Sequence, residues 1–476
     1  MKKIKFIVTL FLVVFLVACS SDDNKNDKGP EIDITQEIIL PKDLRAVWFT
    51  TVWQRDWPQN QYDIAVQKKM YTDYLDKLVE FNFNSIFVQV RSMADAFYKS
   101  KYEPWSANIT GVRGQDPGYD VMQFMVEEAH KRGLEFHAWI NPFRISTRAK
   151  AADSFAPLKM DIADNMYVDC QKIRVYNPAL PEVRQRLADI LTEMIQNYKI
   201  DGIVMDDYFY PSLEPGEEFP DAKEYAELAE AGHTKDQFRF SNVDKTIKLL
   251  YETIIKVNPK VTFTVSPQGN ADNNKKIYAD VEKWTKERWI DFVMPQLYYT
   301  EPNFSKWANH WSRYSWYSTP MIAYGLYRVE DGDFDIQQIA DQFKVVDRYD
   351  RYKGTSFYSA KALFSGKNQI DDLIRERFKN PALIPHNGRE VLPKPSAPTG
   401  VGLTNSNLVW DSSDKDVVFA VYRVDSSLYD AKKAKAELIE ITKNKSITVS
   451  KNGRYYITAV NKNNHESDLS KAVEKK

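Results

Sequence analysis

The sequence predicts an α/β fold, a (β/α)8 barrel followed by a small all-β sandwich. Eight short apolar runs between residues 44 and 359 alternate with segments of helical apolar spacing. The first run is followed by Val52-Trp53-Gln54-Arg55 rather than by the glycine-rich turn of an open doubly wound sheet. Beyond residue 398 the apolar runs are short and strand-like, which favours a separate all-β unit.

Residues 1–19 have the pattern of a bacterial lipoprotein signal peptide. Lysines at the start precede an apolar run over residues 6–18 that is too short for a permanent membrane-spanning helix. Leu16-Val17-Ala18-Cys19 resembles a lipobox, which implies lipidation of Cys19 and a membrane anchor at the N-terminus. The residues after Cys19 favour the outer membrane of the cell envelope and leave its periplasmic and surface faces open. Residues 20–40 are rich in Ser, Asp, Asn and Lys, and we expect a flexible tether.

The predicted barrel covers residues 41–379. Its strands are mainly apolar, as is typical of parallel strands that are buried on both faces. The predicted strands are 44–51, 85–90, 135–140, 202–206, 262–266, 292–297, 321–326 and 355–359. The clearest helical segments are 67–81, 121–132, 181–198, 242–257 and 336–349.

Residues 380–398 contain five prolines, a density typical of a stiff linker. Residues 399–476 follow with short strand-like runs. Trp410 in an early run, and a Tyr-x-Ile-x-Ala-Val-Asn pattern ending at Asn461, resemble a fibronectin type III domain. We expect a spacer or packing module there rather than a sugar-binding one.

Composition restricts the partners. Lys and Arg number 65 against 66 Asp and Glu, so the net charge of -1 argues against nucleic acid. Cys170 is the only cysteine besides Cys19, and a lipidated Cys19 leaves no intramolecular disulfide. The six histidines include no pair at ligand spacing, so we expect neither a metal site nor a cofactor. The oligomeric state stays open.

The most informative segment is 201–211, which reads as a buried strand ending in Asp206 and Asp207. Catalytic groups of such barrels collect at the carboxyl ends of the strands. Other strand ends carry amide, guanidinium, imidazole and aromatic groups, which suit a neutral polyhydroxylated ligand. The predicted ligand-binding residues are Arg91, His137, Asn141, Tyr208, Gln268, Gln296, Tyr298 and Tyr327. Trp48, Trp53, Trp139, Arg144 and Tyr358 stand at the same mouth.

Six motifs in order resemble the glycosyl hydrolase-like 10 family. They are Leu44-Arg45-Ala46-Val47-Trp48, Gln89-Val90-Arg91, Phe136-His137-Ala138-Trp139-Ile140-Asn141-Pro142, the segment 201–211, Ser266-Pro267-Gln268-Gly269-Asn270 and Met294-Pro295-Gln296-Leu297-Tyr298. The resemblance covers about residues 40–370. It implies a glycoside hydrolase barrel. Some members of the family cleave peptidoglycan glycan strands stripped of their peptides.

Glycoside hydrolysis normally needs one carboxylate and one carboxylic acid across the scissile bond. Asp206 is our candidate nucleophile or electrostatic stabiliser, with Asp207 orienting it. Because neighbouring strand residues point to opposite faces, we expect only one of the two in the cleft. The candidates for the partner acid lie on loops: Asp56, Asp95, Glu103 and Glu301. Glu103 is preferred because its aromatic setting raises a carboxyl pKa, and Glu301 comes next. Alternatively, an N-acetyl group of the substrate supplies the nucleophile, which leaves Asp206 and Asp207 as acid and orienter.

The sequence thus predicts a lipid-anchored glycoside hydrolase acting on an amino-sugar polymer, with peptidoglycan glycan as the expected substrate. The second hypothesis is a non-catalytic glycan-binding surface lipoprotein. It is motivated by the fifth and sixth strands, which end in Ser266-Pro267-Gln268 and Pro295-Gln296 and supply no acid.

Overall fold

The computed structural model of the protein describes residues 36–213, 216–367 and 369–476. Cys19, the predicted signal peptide and most of the predicted tether lie outside the described residues. Within these ranges, none of the helices combines the length and the apolar character that crossing a membrane requires.

Residues 44–358 contain a nearly closed parallel barrel, as predicted. Its strands are β1 (Leu44–Phe49), β2 (Ser85–Arg91), β3 (Glu135–Ile140), β4 (Gly202–Met205), β5 (Thr262–Val265), β6 (Phe292–Val293), β7 (Ile322–Gly325) and β8 (Gly354–Tyr358). A short strand, Thr319–Pro320, pairs with β6, while β7 pairs with β8. Only Met321 separates Thr319–Pro320 from β7. Because these two strands stand at opposite edges of the sheet, their continuity nearly closes the barrel.

Alternation along the strands divides the side chains between two cores. In β1, Leu44, Ala46 and Trp48 point into the barrel, where they meet Phe87 and Trp139. The intervening residues Val47 and Phe49 point outwards into the larger core formed with the helices. This two-residue period is what a barrel strand with two buried faces requires.

Helices cover the outside of the barrel, and local sequence signals define several of their starts. Asp120 caps Val121–Lys131, and Thr234 with Gln237 forms a capping box at Lys235–Val257. The described helices are Ile64–Glu80, Ala107–Thr110, Val121–Lys131, Pro181–Asn197, Ala222–Leu228, Lys235–Val257, Ala271–Lys276, Val281–Lys286, Asn303–Tyr314, Leu326–Glu330, Ile336–Val346, Ala360–Leu363 and Ile370–Arg377. An antiparallel sheet of Arg144–Thr147, Tyr167–Cys170 and Ile173–Tyr176 follows β3.

The C-terminal residues form two antiparallel sheets. One contains Thr399–Thr404, Asn407–Asp411 and Ser446–Thr448; the other contains Val418–Val424, Glu437–Thr442, Gly453–Val460 and Val473–Lys475. Trp410 packs edge-on against Phe419 between them, with ring centroids 5.6 Å apart. The unit is therefore all-β; its relation to fibronectin type III stays a prediction.

The segments predicted as tether and linker are packed in part. Glu37–Ile39, at the end of the predicted tether, pairs in parallel with Lys433–Lys435. Within the predicted linker, Leu383 is buried and Arg389 forms an ion pair of 2.8 Å with Asp291 at the base of the barrel. The prediction of a tether and a linker was based on composition. Composition does not show that single apolar side chains in these segments, such as Leu383, pack into buried positions.

Candidate active site

The carboxyl ends of the barrel strands surround a cleft of about 320 Å³. Seven of the sixteen residues that line it are aromatic, and eight are polar or charged. The aromatic residues are Trp48, Trp53, Trp139, Tyr208, Tyr298, Tyr327 and Tyr358. Trp53 is 71% exposed and lines the cleft, so its ring stands at the mouth, open to a ligand. Its backbone lies in the left-handed region with φ of 53°.

Asp206 and Asp207 both line this cleft. We expected only one, because neighbouring strand residues alternate. The strand β4 ends at Met205, however, so the alternation does not extend to the two acids. They are the only carboxylates among the described residues that line the cleft.

The two acids differ in their surroundings. Asp206 is 4% exposed, and this burial, together with the neighbouring Asp207, raises its pKa well above the usual range. Burial also raises the pKa of Asp207, but side-chain amides oppose the shift. Gln296 Nε2 donates to Asp207 Oδ1 at 3.3 Å and to the Ser266 carbonyl at 3.0 Å, and the Gln268 amide also lowers this pKa. Burial and the neighbouring charge thus favour the neutral form of Asp206, as a general acid requires.

Arg144 places a positive charge close to the two acids. Its guanidinium lies 4.0 Å from the centre of the Tyr208 ring, and its Nε donates to the Ser92 carbonyl at 3.1 Å. The charge of Arg144 partly opposes the rise in the pKa of Asp206. Burial raises the pKa of Tyr208 to about 12, so the phenol stays neutral.

Several buried polar atoms in the cleft lack a hydrogen bond of good geometry to a described residue. Arg55 Nε and Ser266 Oγ are two of them. Weaker contacts join Trp139 to Asp206, Arg144 to Tyr208 and Thr50 to Tyr358, and they leave Trp139 Nε1, Asp206 Oδ1, Arg144 Nη2 and Thr50 Oγ1 incompletely satisfied. Buried polar groups are rarely left without a hydrogen bond, so their concentration in one cleft indicates a polar ligand. Both donors and acceptors are present, which suits hydroxyl and amide groups.

A tyrosine cluster with one arginine lines another part of the cleft. Tyr327 packs against Tyr298 and Tyr358 with ring centroids 5.7 Å apart in both pairs. The Arg55 guanidinium lies 5.7 Å from the Tyr358 ring centre and 3.9 Å from the Glu330 carboxylate. We did not predict Arg55 as a site residue from the sequence; its position two residues after Trp53, in the loop after β1, was the available signal.

The structure does not bring either of the two preferred partner acids into the cleft. Glu103 is buried and paired with Arg91 through two short contacts of 2.6 and 2.7 Å, with a further hydrogen bond from the Tyr176 hydroxyl at 3.3 Å. Arg91 in turn donates to the carbonyl of Asn141. Glu103 and Arg91 thus form a buried ion pair that holds the loop after β2.

Glu301 is exposed and accepts a hydrogen bond of 2.7 Å from the Ser305 hydroxyl. It therefore stands at the start of the helix Asn303–Tyr314 and outside the cleft.

Of the predicted ligand-binding residues, Tyr208, Gln296, Tyr298 and Tyr327 line the cleft, and Gln268 lies beside Asp207. Asn141 is buried behind the cleft, where its Oδ1 accepts a hydrogen bond of 3.4 Å from Nε2 of the cleft residue Gln89. His137 is fully buried in the barrel interior, with its Nε2 3.0 Å from Glu135 at the start of β3. Gly202 of the neighbouring strand lies opposite the ring, and a Cβ there would lie 2.1 Å from His137 Nδ1. His137 is thus a packed interior residue.

We predicted no metal site from the histidine spacing. In the described part of the chain, one group of three metal-ligand side chains is present: His386, Glu390 and His465. It lies near the base of the barrel, where Arg389 meets Asp291, and so at the end opposite the cleft.

Known proteins resemble the chain in sequence over the barrel and beyond. The model of the family Glycosyl hydrolase-like 10 matches residues 43–323. The glycosyl hydrolase YngK of Bacillus subtilis (strain 168) is 28% identical over 518 residues, which cover 99% of this chain and 98% of YngK. The glycosyl hydrolase DigH of Escherichia coli (strain K12) is 31% identical over 329 residues, which cover 61% of this chain and 74% of DigH.

Among solved structures, the PgaB (BpsB) glycoside hydrolase domain from Bordetella bronchiseptica is 10% identical, with a TM-score of 0.48 over 71% of this chain and 98% of that domain. This structural likeness is too low to carry an argument. The family match spans more than half of the chain and contains the strands β1–β6 and the first two residues of β7. The chain therefore belongs to the glycosyl hydrolase-like 10 family.

Proposed function

We propose that this protein is a lipid-anchored glycoside hydrolase that cleaves peptidoglycan glycan strands, an amino-sugar polymer. Membership of a glycosyl hydrolase-like family and two relatives named glycosyl hydrolases support hydrolysis of glycosidic bonds. The aromatic walls of the cleft support a sugar ligand, since aromatic faces pack against the apolar faces of sugar rings.

One observation supports the mechanism that we propose. The carboxylates lining the described part of the cleft are the sequence neighbours Asp206 and Asp207, and neither Glu103 nor Glu301 joins them. Two adjacent acids on one side of a cleft do not flank a glycosidic bond as a conventional pair does. An N-acetylated sugar resolves this shortage, because its own acetamido oxygen can act as the nucleophile.

In this mechanism, Asp206 donates its proton to the glycosidic oxygen as the bond to the anomeric carbon breaks. The acetamido carbonyl oxygen forms a bond to the same carbon and gives a cyclic oxazolinium ion. Asp207, ionised and held by Gln296, accepts the acetamido N–H and stabilises the positive charge. Water then attacks the anomeric carbon, the bond from that carbon to the acetamido oxygen breaks, and a proton of the water returns to Asp206. The products are the free acetamido group and a hemiacetal with retained configuration.

The parts of the chain outside the barrel are proposed to anchor and position the protein. We propose that Cys19 is lipidated and anchors the protein to the outer membrane, with residues between the anchor and Gln36 acting as a tether. The C-terminal all-β unit is proposed to be a fibronectin type III-like spacer.

The test uses purified protein and glycan strands stripped of peptides, with release of soluble fragments as the readout. The native protein should release fragments, and Asp206→Asn should be at least a hundredfold slower. Glu301→Gln is the matched control, because it neutralises an exposed carboxylate outside the cleft, and it should match the native rate.

The same assay decides between this proposal and a non-catalytic glycan-binding lipoprotein. The ends of the fifth and sixth strands favour the alternative, because they contribute Ser266 and Gln296 to the cleft and no acid. Measurable binding by the native protein without any fragment release would establish the alternative.

A further inference from the structure

Arg55 brings to the cleft a positive charge that the acid pair does not use. Its guanidinium lies beside the rings of Tyr358 and Tyr327, 5.7 and 6.0 Å from their centres, and its side chain is 34% exposed. The other arginine that lines the described cleft, Arg144, lies close to the two acids, and its charge opposes the rise in their pKa values. Arg55 is therefore the cleft arginine whose charge is open to a ligand.

The hydrogen-bond donors of Arg55 lack a good acceptor in the described part of the chain. Its Nε is buried and unpaired, and its Nη2 lies 3.9 Å from the Glu330 carboxylate, which is longer than a hydrogen bond. Glu330 itself does not line the cleft. A guanidinium carries five N–H donors in a planar fork that matches the two oxygens of a carboxylate. The unused donors thus indicate an acidic group on the ligand.

The loop that carries Arg55 is held in place by the next residue, Asp56. The Asp56 side chain is fully buried. Its carboxylate accepts hydrogen bonds from the Thr50 backbone N–H at 2.6 Å, the Ser359 hydroxyl at 2.7 Å and the Lys361 backbone N–H at 2.9 Å. These bonds connect the loop after β1 to the end of β8. Because the backbone is fixed in advance, a ligand that binds the guanidinium has little chain to order.

Arg55 and Asp206 act on the same part of the cleft. Burial is the largest cause of the raised pKa of the Tyr358 phenol; among the nearby charges, Asp206 adds to the rise and Arg55 opposes it. Tyr358 therefore lies close to both charges. A sugar beside the Tyr358 ring can reach the acid with one group and the arginine with another.

The strands of the proposed substrate carry such an acidic group only after their peptides are removed. Every second sugar then has a lactyl ether that ends in a free carboxylate, on the ring carbon next to the one that bears the acetamido group. While a peptide is attached, the same carboxyl is an uncharged amide. A guanidinium binds a carboxylate through charge-assisted hydrogen bonds, which an amide does not replace.

We propose that Arg55 binds the free lactyl carboxylate and thereby selects strands that have lost their peptides. This inference rests on the proposed function, since it concerns the same cleft and the same polymer. Arg55 acts here on specificity, while Asp206 and Asp207 perform the chemistry.

The test compares soluble peptide-stripped strands with the same strands after carbodiimide coupling to methylamine, which converts each lactyl carboxylate into a methylamide. The native protein should cleave the methylamide strands with a kcat/KM at least tenfold lower, mainly through KM, because a hydrogen bond to a charged group is lost. Arg55→Gln should show the same loss on carboxylate strands and should cleave both preparations alike. Its Tm should equal that of the native protein, since Arg55 is partly exposed and unpaired.

Arg288→Gln is the matched control. The Arg288 guanidinium also lies beside a tyrosine, 4.0 Å from the centre of the Tyr317 ring, but it is exposed and outside the cleft. This variant should keep the native preference for carboxylate strands. Equal cleavage of both preparations by the native protein, or an undiminished preference in Arg55→Gln, would overturn the proposal and leave hydrolysis intact.

Binding separates this inference from the proposed function. It is followed by the fluorescence of the tryptophans that line the cleft, Trp48, Trp53 and Trp139. If the native protein cleaves neither preparation but binds carboxylate strands more tightly, and Arg55→Gln abolishes that difference, the carboxylate site stands and the hydrolase assignment is wrong. If the native protein binds both preparations equally, the carboxylate site is wrong.

Discussion

Replacing Asp206 by Asn separates the two acids by their roles. The amide keeps the shape of the buried side chain but cannot protonate a leaving group. Loss of a general acid typically slows a reaction 10²- to 10⁴-fold, which corresponds to roughly 2.7–5.4 kcal/mol of transition-state stabilisation. We expect a loss of that size in kcat/KM on glycan strands, where the leaving group is a sugar hydroxyl.

The assay compares glycan strands with an aryl glycoside of the same N-acetylated sugar. A phenolate with a low pKa leaves without protonation, so Asp206→Asn should keep most of the native rate on the aryl substrate. Asp207→Asn should lose activity on both substrates, because the acetamido group then lacks its orienting carboxylate. If Asp207→Asn shows the dependence on leaving group and Asp206→Asn does not, the assignment of acid and orienter is wrong.

Stability gives an independent check on the same residue. Burial and Asp207 raise the pKa of Asp206 in the folded state above the unfolded value. Between those two pKa values the folded state holds more protons, so the contribution of Asp206 to stability falls as pH rises. Asp206→Asn should therefore raise Tm relative to the native protein at neutral pH and change it less at acidic pH. A lower Tm for Asp206→Asn at neutral pH would show that the ionised carboxylate is stabilised in the cleft.

Three further predictions concern the surroundings of the pair. Trp53→Ala should raise KM about 2- to 13-fold at little change in kcat, because an aromatic contact contributes roughly 0.5–1.5 kcal/mol; Trp316→Ala, also an exposed tryptophan but outside the cleft, should leave KM unchanged in the same steady-state assay. Gln296→Leu removes a hydrogen bond to Asp207 and should raise its pKa, so the acidic limb of the kcat/KM–pH profile should move to higher pH; an unmoved limb would remove Asp207 from the titration. Glu103→Ala leaves Arg91 buried and unpaired and should cost about 3–5 kcal/mol in the free energy of unfolding, measured with denaturant, with kcat retained at low temperature; lost kcat at unchanged stability would instead make Glu103 catalytic.

The sequence was sufficient to locate the barrel strands and the two acids. Eight apolar runs marked the strands because parallel strands are buried on both faces. Asp206 and Asp207 were found because they follow β4 directly. Their joint presence in the cleft was not found, since it depends on the strand ending at Met205, and apolar patterns place such an end only approximately.

Long-range pairing accounts for most of what the sequence did not reveal. The aromatic neighbours of Glu103 suggested an acid of raised pKa, whereas Arg91 of β2 binds that carboxylate in a buried pair. His137 suggested a sugar contact, but its place in β3 turns it into the interior opposite Gly202. Both outcomes depend on which strands adjoin, and composition or spacing within a single segment carries no information on that.

The most direct test of the account compares one glycan strand preparation before and after chemical removal of its N-acetyl groups. The native protein is incubated with both, and new reducing ends are counted. Because the acetamido oxygen is the proposed nucleophile, N-acetylated strands should be cleaved and de-N-acetylated strands should be cleaved at least a hundredfold more slowly. Cleavage of both at similar rates would contradict substrate assistance and require a second enzyme carboxylate near Asp206.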